Sequence, residues 1–431
     1  MLSTKSSKKP QTYFPLENEK NLDPLLERIG DAKYVLLGEA SHGTHEYYTW
    51  RAQISKRLIK EKGFSFIAVE GDWPDCYKIN SWVKEFQQSP ETISAVLQNF
   101  KRWPTWMWGN WEIAAFATWL RNYNTKKASE NKVGFYGLDV YSLWDSMSTI
   151  VEYLEKEDPQ TAKLAKDAIY CFEPYKATDS YSSVFSSGKE DCRDEVLRLL
   201  QEVRVKKHNY DHVKEAGLNA EINALVMANA ETYYKAMAIF GSHSWNVRDR
   251  HMVETLNTIT NYHGDDTKVI VWAHNTHIGD ASATDMAEDG LINIGQLIRN
   301  QNPKKDVVLV GFGTYSGSVI AGSRWGAPMQ KMKVPEAKPN SFEYQLHQID
   351  PNDKLLIFDK NTELKESFSK TIGQRAIGVV YNPDREYGNY VPSQISERYD
   401  AFVYLDKTSA LNPLKIDSDK NKSPDVYPFG I

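Results

Sequence analysis

The chain has 431 residues, of which 41% are hydrophobic and 25% are charged, so we expect a globular protein rather than a disordered one. Its net charge is −5, so the sequence does not indicate the basic surface that binds nucleic acid, and we predict no nucleic-acid partner. No run of 18 apolar residues is present, and the basic N-terminus lacks an apolar segment after it. We therefore predict no transmembrane helix, no signal peptide and a cytoplasmic location.

Short apolar runs, each followed by glycine and polar residues, predict buried strands. Their near-continuous apolar character is typical of strands covered on both faces of a parallel sheet. Helical patterns lie between them, for example at 44–60 and 111–123. The alternation predicts an α/β fold, with a central, mostly parallel sheet flanked by helices. The predicted strands are 34–37, 66–69, 133–136, 269–273, 307–310, 376–381 and 402–405.

The stretch at about 144–260 is long, charged and helix-prone, which predicts a helical insertion or cap between two strands. It could cover the site, as lids commonly do, or form a purely structural subdomain. We expect 21–411 to form a single α/β catalytic domain that includes this insertion. Residues 1–20 are predicted to be a flexible N-terminal segment, and 412–431 a loosely packed C-terminal tail.

The three cysteines, Cys76, Cys171 and Cys192, are widely spaced and form no C-x-x-C pair. An odd, sparse set is typical of the reducing cytosol and argues against a disulfide or a zinc–cysteine framework. Aromatic residues reach 12%, which suggests a cleft for an apolar or ring-bearing ligand, although core packing explains most of them equally well.

Carboxylates and imidazoles follow four of the predicted strands, and a tyrosine follows a fifth. Ligands of open parallel sheets bind at the carboxyl ends of the strands, so we expect these side chains to form one site. Each alone could be structural, as a helix cap or a bonded loop histidine. Together they would be costly to bury without mutual pairing. In chain order they are Glu39, His42, Glu70, Asp139, His274, His277 and Tyr315.

Arg51 adds a cation to this set. Tyr47, Arg51, Ile54 and Leu58 recur at helical spacing, which places Arg51 on the apolar face of the predicted helix. An arginine there needs a carboxylate partner, and the predicted strand ends offer Glu39 and Glu70. The alternative is an arginine whose head reaches water along the protein surface.

The sequence lacks the motifs that are typical of several reaction types. There is no G-x-S-x-G and no G-x-x-x-x-G-K-[ST], and the segment 311–316 lacks the third glycine of a dinucleotide motif. There is no H-E-x-x-H, although His274 and His277 could offer two nitrogens to a metal. The remaining chemistry is that of water, with a histidine base, carboxylates that orient it and groups that stabilise an oxyanion.

The motifs resemble those of the erythromycin esterase family, which includes succinoglycan-biosynthesis-like proteins. The resemblance covers about 20–405. The matching segments are L-G-E-A-S-H-G-T at 37–44, Arg51, A-V-E-G-D at 68–72, G-L-D at 137–139, N-V-R-D-R-H-M at 246–252 and W-A-H-N-T-H at 272–277. The resemblance implies hydrolysis of a macrolide lactone ester, with water activated by a histidine and no covalent acyl-enzyme. It assigns that base to His42. The wider superfamily is similar to haem- and metal-binding proteins.

We therefore predict a hydrolase of an ester or lactone. His42 takes a proton from water, Glu39 or Glu70 orients the imidazole, Arg51 holds the carboxylates, and His274 or His277 polarises the carbonyl. For substrate binding we name Asp139, Arg248 and Tyr315. No cofactor and no metal are predicted, because Arg51 would repel a dication and occupy its acceptors. The alternatives are a metal-dependent hydrolase with the same cluster, and a non-catalytic protein that binds a small molecule or haem. The sequence leaves the natural substrate and the oligomeric state open.

Overall fold

A computed structural model describes residues 13–86, 90–176, 191–210, 213–238, 243–358, 362–420 and 422. Strands and helices are numbered here in chain order. The strands are β1 (Phe14–Pro15), β2 (Tyr34–Leu37), β3 (Phe66–Asp72), β4 (Gly134–Asp139), β5 (Val269–Trp272), β6 (Val307–Gly322), β7 (Met329–Val334), β8 (Lys354–Ile357), β9 (Ile372–Arg375), β10 (Tyr390–Ser393) and β11 (Ala401–Thr408).

The helices alternate with these strands, as the sequence pattern predicts. They are α1 (Asp23–Ile29), α2 (His45–Lys62), α3 (Trp73–Lys84), α4 (Ile93–Leu97), α5 (Trp111–Asn124), α6 (Leu143–Glu157), α7 (Pro159–Lys176), α8 (Arg193–Lys206), α9 (Ala216–Ala238), α10 (His243–His263), α11 (Asn275–Ile278), α12 (Ile294–Gln301), α13 (Phe342–Ile349), α14 (Thr362–Ser367) and α15 (Ile395–Arg398).

A nine-stranded sheet forms the centre of the fold, in the order β1–β8–β11–β6–β2–β5–β3–β4, with β7 paired to β6. The six strands from β11 to β4 pair in parallel, whereas β8, β1 and β7 pair antiparallel to their neighbours. The mostly parallel α/β sheet predicted from the sequence is thus confirmed. Strands β9 and β10 form a separate antiparallel pair.

Both faces of the parallel strands are buried, which explains their unbroken apolar sequence. In β2, Leu36 belongs to one hydrophobic core cluster, and Val35 and Leu37 belong to the other. Because successive side chains of a strand point to opposite faces, the two clusters lie on opposite sides of the sheet. The carboxyl edge between these clusters is where the polar loops emerge.

One strand prediction is wrong. Segment 376–381 forms only isolated bridges, Ile377 with Ser41 and Val380 with Gly322, and the neighbouring strand is β9. Its apolar side chains pack beside the outer half of β6 instead of joining a ladder. The antiparallel strand β8, with the sequence K-L-L-I, was not among the predicted strands.

Between β4 and β5 the described residues form five helices, α6 to α10, which make up the helical insertion expected there. Helix α7 carries Cys171, and Cys192 precedes α8. The two cysteines form a disulfide with a Cα–Cα distance of 5.8 Å, so the prediction that none would form is wrong. Packing of α7 against α8 brings together residues that the sequence separates by 21 positions. Spacing along the chain could not reveal that contact.

Both chain ends include buried residues within the described part, and the predicted flexibility of 1–20 and loose packing of 412–431 stay predictions. Phe14 and Pro15 pair with β8, and Leu16 is buried. In the tail, Leu414 and Ile416 are buried against the core. Residues 1–12 and 423–431 lie outside the described part. Within it, no helix has both the length and the apolar character that crossing a bilayer requires.

Candidate active site

The loop after β2 carries the first two site residues and passes very close to β6. A Cβ atom on Gly43 would lie 1.9 Å from the carbonyl oxygen of Ile320, so any side chain at this position would displace the backbone. The loop then enters α2, which ends at Gly63 in the left-handed conformation, with φ of 70°. The loop after β2 and helix α2 together place Glu39, His42 and Arg51 at the carboxyl edge of the sheet.

Glu39 bridges a histidine and an arginine. His42 Nδ1 lies 2.9 Å from Glu39 Oε1, and Arg51 Nη2 donates to Glu39 Oε2 at 2.7 Å. An ionised carboxylate only accepts, so Nδ1 of His42 carries the proton and Nε2 offers a lone pair. That Nε2 is buried and has no hydrogen-bond partner in the described part of the chain. Glu39 is therefore the carboxylate that orients His42.

Arg51 is fully buried, as its place on the apolar helix face predicts. Its guanidinium lies over two aromatic rings, 4.5 Å from the Tyr48 centroid and 5.0 Å from the Trp272 centroid. The rings and Glu39 together stabilise a cation that has no access to water. The predicted partner, a carboxylate at a strand end, is confirmed as Glu39.

Glu70, at the end of β3, is held by a second arginine. Arg248 Nη2 donates to Glu70 Oε1 at 2.7 Å, and the backbone N–H of His274 donates to Glu70 Oε2 at 2.8 Å. Burial alone would raise the pKa of Glu70, but the Arg248 guanidinium and the backbone N–H of His274 stabilise the anion, and the pKa lies far below the usual range. Glu70 is thus a permanent anion at neutral pH.

Arg248 comes from α10 of the insertion and uses all three of its nitrogens. Nε and Nη2 donate to the two oxygens of Asp139 at 3.0 and 2.7 Å, and Nη1 lies 3.0 Å from His277 Nε2. Asp139 and Arg248 are at most 1% exposed and satisfy one another. This geometry favours a role in holding Glu70. Their predicted role in substrate binding stays a prediction.

His277 has both ring nitrogens engaged. Nδ1 lies 2.9 Å from Asp249 Oδ1, and Nε2 accepts from Arg248. The Trp245 ring stacks on the imidazole with a centroid distance of 4.5 Å. Asp249 and Trp245 were absent from the predicted site. The available signal was N-V-R-D-R-H-M, in which Asp249 directly follows Arg248, but helix neighbours point in different directions and adjacency alone argues little.

In His274 the proton lies on the other ring nitrogen from that in His42. It caps α11, and its Nδ1 accepts the N–H of Thr276 at 3.3 Å, with the Thr276 hydroxyl 2.8 Å away. Nε2 therefore carries the proton, and this atom is buried without a partner among the described residues. Burial, together with the neighbouring His42, lowers the pKa of His274 well below its usual value, so the ring stays neutral. The centroids of these two imidazoles are 5.1 Å apart.

Tyr315, predicted as a substrate-binding residue, makes its contacts elsewhere. Its ring stacks on His347 of α13 with a centroid distance of 3.7 Å, and its hydroxyl interacts with Glu336. The side chain belongs to the core cluster of the Leu36 face. The structure thus joins eight of the nine predicted site residues into one network and leaves Tyr315 outside it.

The cluster is poorly suited to a metal ion. No group of three or more His, Cys, Asp or Glu side chains is arranged to hold one in the described ranges of the chain. Both oxygens of Glu39 and both of Glu70 accept hydrogen bonds from protein donors. A dication would have to displace these bonds.

A family model described as erythromycin esterase matches residues 59–408. The matched range includes Glu70, Asp139, Arg248 and His274, but it begins after Glu39, His42 and Arg51. Erythromycin esterase type II of Escherichia coli is 24% identical over 423 residues, covering 92% of this chain and 94% of its own length.

Two solved structures share the fold. A protein from Bacillus cereus superposes with a TM-score of 0.75 at 21% identity, covering 94% of this chain and 97% of its own. The erythromycin esterase mutant EreC, in its open conformation, superposes with a TM-score of 0.66 at 16% identity, covering 94% and 99%. At these identities the likeness demonstrates the fold alone.

Proposed function

Because the chain belongs to the erythromycin esterase family, we propose that it hydrolyses an ester or lactone with water activated by His42, without a covalent acyl-enzyme. Membership of this family supports an esterase-type hydrolase. The name of the Escherichia coli relative makes a macrolide lactone the first substrate to test, and with it a role in antibiotic resistance.

A single observation carries the proposal: two adjacent buried imidazoles have complementary free nitrogens. Nε2 of His42 is an acceptor and Nε2 of His274 is a donor, and neither has a partner in the described residues. Buried polar atoms are normally bonded, so a pair of free ones indicates where a ligand binds. A base and a hydrogen-bond donor side by side are what ester hydrolysis requires.

The reaction follows from these two atoms. His42 Nε2 takes a proton from water as the water oxygen attacks the carbonyl carbon, and Glu39 stabilises the imidazolium that forms. The Nε2–H of His274 donates to the carbonyl oxygen, which becomes negative in the tetrahedral intermediate. The intermediate then expels the alkoxide, which takes the proton back from His42 Nε2. The products are a carboxylic acid and an alcohol.

The structure supports choices that the sequence leaves open. Glu39, rather than Glu70, lies against the ring of His42. His274, rather than His277, offers a free nitrogen, because Asp249 and Arg248 use both nitrogens of His277. In this proposal Arg51 holds Glu39, Arg248 holds Glu70 and Asp139, and neither arginine touches the substrate.

The cytoplasmic location also stays a proposal. The disulfide between Cys171 and Cys192 removes the cysteine pattern as an argument for it, since disulfides are uncommon in the reducing cytosol.

The test is a hydrolysis screen of simple esters and macrolide lactones with protein purified without an affinity tag that carries metal. We expect turnover that survives chelator and elemental analysis that finds no stoichiometric metal. Added hydroxylamine distinguishes the routes, because an acyl-enzyme would partition to the hydroxamate whereas direct attack by water gives only the acid. Activity lost with a removable metal would establish the metal-dependent alternative. Tight haem binding without turnover would establish the binding alternative.

A further inference from the structure

The C-terminal residues that follow β11 run along the carboxyl edge of the sheet and contact both loops that carry the site. We call residues 409–419 the C-terminal brace. The first loop is the one that carries His42. The second is the tryptophan segment, residues 101–110. The family match ends at residue 408, so the brace lies outside the matched range.

The brace forms backbone hydrogen bonds with the loop that carries His42. The N–H of His45 donates to the Ser409 carbonyl at 2.9 Å, and the N–H of Leu411 donates to the Gly43 carbonyl at 3.0 Å. Gly43 directly follows His42. These bonds therefore act on the backbone one residue from the proposed base.

The brace then binds the tryptophan segment. The N–H of Leu414 donates to the Gly109 carbonyl at 2.8 Å, and the N–H of Asp419 donates to the Lys101 carbonyl at 2.7 Å. The side chain of Ile416 lies against Gly109, where a Cβ atom would come within 2.5 Å of it. The brace thus fixes both ends of this segment.

The tryptophan segment in turn holds the backbone of the site. Trp108 Nε1 donates to the Glu70 carbonyl at 3.0 Å. The Tyr48 hydroxyl lies 2.9 Å from the Met107 carbonyl and 3.1 Å from the His42 carbonyl. The brace is therefore connected to Glu70 through Gly109 and its neighbour Trp108, and to His42 through the adjacent Gly43.

A side-chain contact fastens the brace between the two loops. Asn412 Nδ2 donates to Glu112 Oε1 at 2.7 Å, and His45 Nδ1 lies 2.5 Å from the same oxygen. Glu112 stands at the start of α5, directly after the tryptophan segment, and His45 stands at the start of α2. One carboxylate thus joins the brace to both helix starts.

We propose that the C-terminal brace is a positioning element of the reaction, and that Leu414 and Asn412 set the distance between His42 and Glu70 through the two loops that they hold. The proposal rests on the proposed hydrolase function. Neither residue touches the reacting atoms, so the expected effect is on turnover rather than on substrate binding.

The test compares two leucines in the full-length chain. Leu414→Ala loosens the brace, and Leu346→Ala removes an equally large side chain from the core cluster on the opposite face of the sheet. With an ester that the wild type hydrolyses, we expect Leu414→Ala to lower kcat about 10- to 100-fold with KM nearly unchanged, because small misplacements of catalytic groups cost rates of this order. Leu346→Ala should leave kcat nearly unchanged. Leu414→Met, which keeps a side chain of similar size, should retain most of the wild-type kcat.

A second measurement does not depend on activity. Amide hydrogen exchange in peptides that cover 43–48 and 107–112 should accelerate in Leu414→Ala but not in Leu346→Ala. If Leu414→Ala fails to fold, Asn412→Ala carries the test, because this side chain is exposed and its removal opens no cavity. Normal kcat in a folded brace variant would overturn the proposal, whatever the exchange shows. If the wild type hydrolyses no ester, the proposed function fails first, and the positioning role fails with it, even where exchange shows the contact.

Discussion

The two halves of the site are built differently. The half around Glu39 takes its carboxylate, imidazole and guanidinium from residues 39–51, one loop and one helix. The half around Glu70 takes them from β3, β4, the insertion helix α10 and the segment after β5. Arg51 pairs with one carboxylate and two rings, whereas Arg248 pairs with two carboxylates and an imidazole. The first half is therefore set locally, and the second exists only when the insertion is in place.

The largest expected effect is in the local half. His42→Ala should lower kcat roughly 10²–10⁴-fold, the contribution of a positioned base, with little change in thermal stability. Glu39 still accepts from Arg51 in this variant, so no buried charge loses its only partner. Steady-state kinetics and calorimetry check this, and His208→Ala in the insertion serves as the control. Turnover near that of the wild type would remove His42 from the mechanism.

The two arginines should separate the halves by stability. Arg248→Met leaves Glu70 and Asp139 buried without their shared cation, which we expect to cost about 3–5 kcal/mol of unfolding free energy. Arg51→Met should cost less, about 1–3 kcal/mol, because Glu39 keeps its bond to His42. Urea denaturation of both variants gives the comparison. Equal losses would contradict the distinction between a local and a distributed half.

A smaller effect is expected from Asp249→Asn. Asp249 fixes the proton of His277 on Nδ1, so that Nε2 can accept from Arg248. The amide can present its N–H₂ to the imidazole and favour the other tautomer, which would set an N–H against Arg248. We expect kcat to fall roughly 10-fold or more, with KM nearly constant. An unchanged kcat would show that the second half tolerates either tautomer.

The smallest effect on turnover is expected at Glu343, a carboxyl outside both halves, where the pH dependence is one of stability. Burial raises the pKa of Glu343 to about 7, although Arg375 opposes it. A raised folded-state pKa means that this group lowers stability as pH rises from about 4.5 to 7, with no further change above. At about 1.4 kcal/mol for each pKa unit, the loss is roughly 3–4 kcal/mol. Glu343→Gln should remove this slope in unfolding experiments, and an unaltered slope would assign it to another group.

The difference between the halves also explains what the sequence could predict. The spacing of Arg51 along α2 placed it on the buried face, whereas the sequence left open whether Glu39 or Glu70 orients His42. The carboxyl-end rule brought Glu70, Asp139 and His274 to the same edge, because it depends only on strand order and direction. Each of these predictions used the sequence pattern of a single helix or strand.

The contacts that were missed all cross between elements. Asp249 meets His277 only because α10 packs beside α11, and Cys171 meets Cys192 only because α7 and α8 are neighbours. Tyr315 follows a predicted strand end, but β6 continues to Gly322, so its ring faces α13 instead of the site. Periodicity reports which face of an element is buried, and it does not report which element covers that face.

Burial of the whole network has a consequence for substrate binding. Its nine residues, Glu39, His42, Arg51, Glu70, Asp139, Arg248, Asp249, His274 and His277, are each at most 2% exposed. A substrate therefore reaches the two free imidazole nitrogens only in the fraction of molecules that are open. The apparent dissociation constant is the intrinsic one divided by that fraction, so a protein open one time in about 100 binds about 100-fold more weakly than its contacts would allow. Variants outside the network that raise the open fraction would then gain apparent affinity and, by admitting bulk water to the charges, lose turnover.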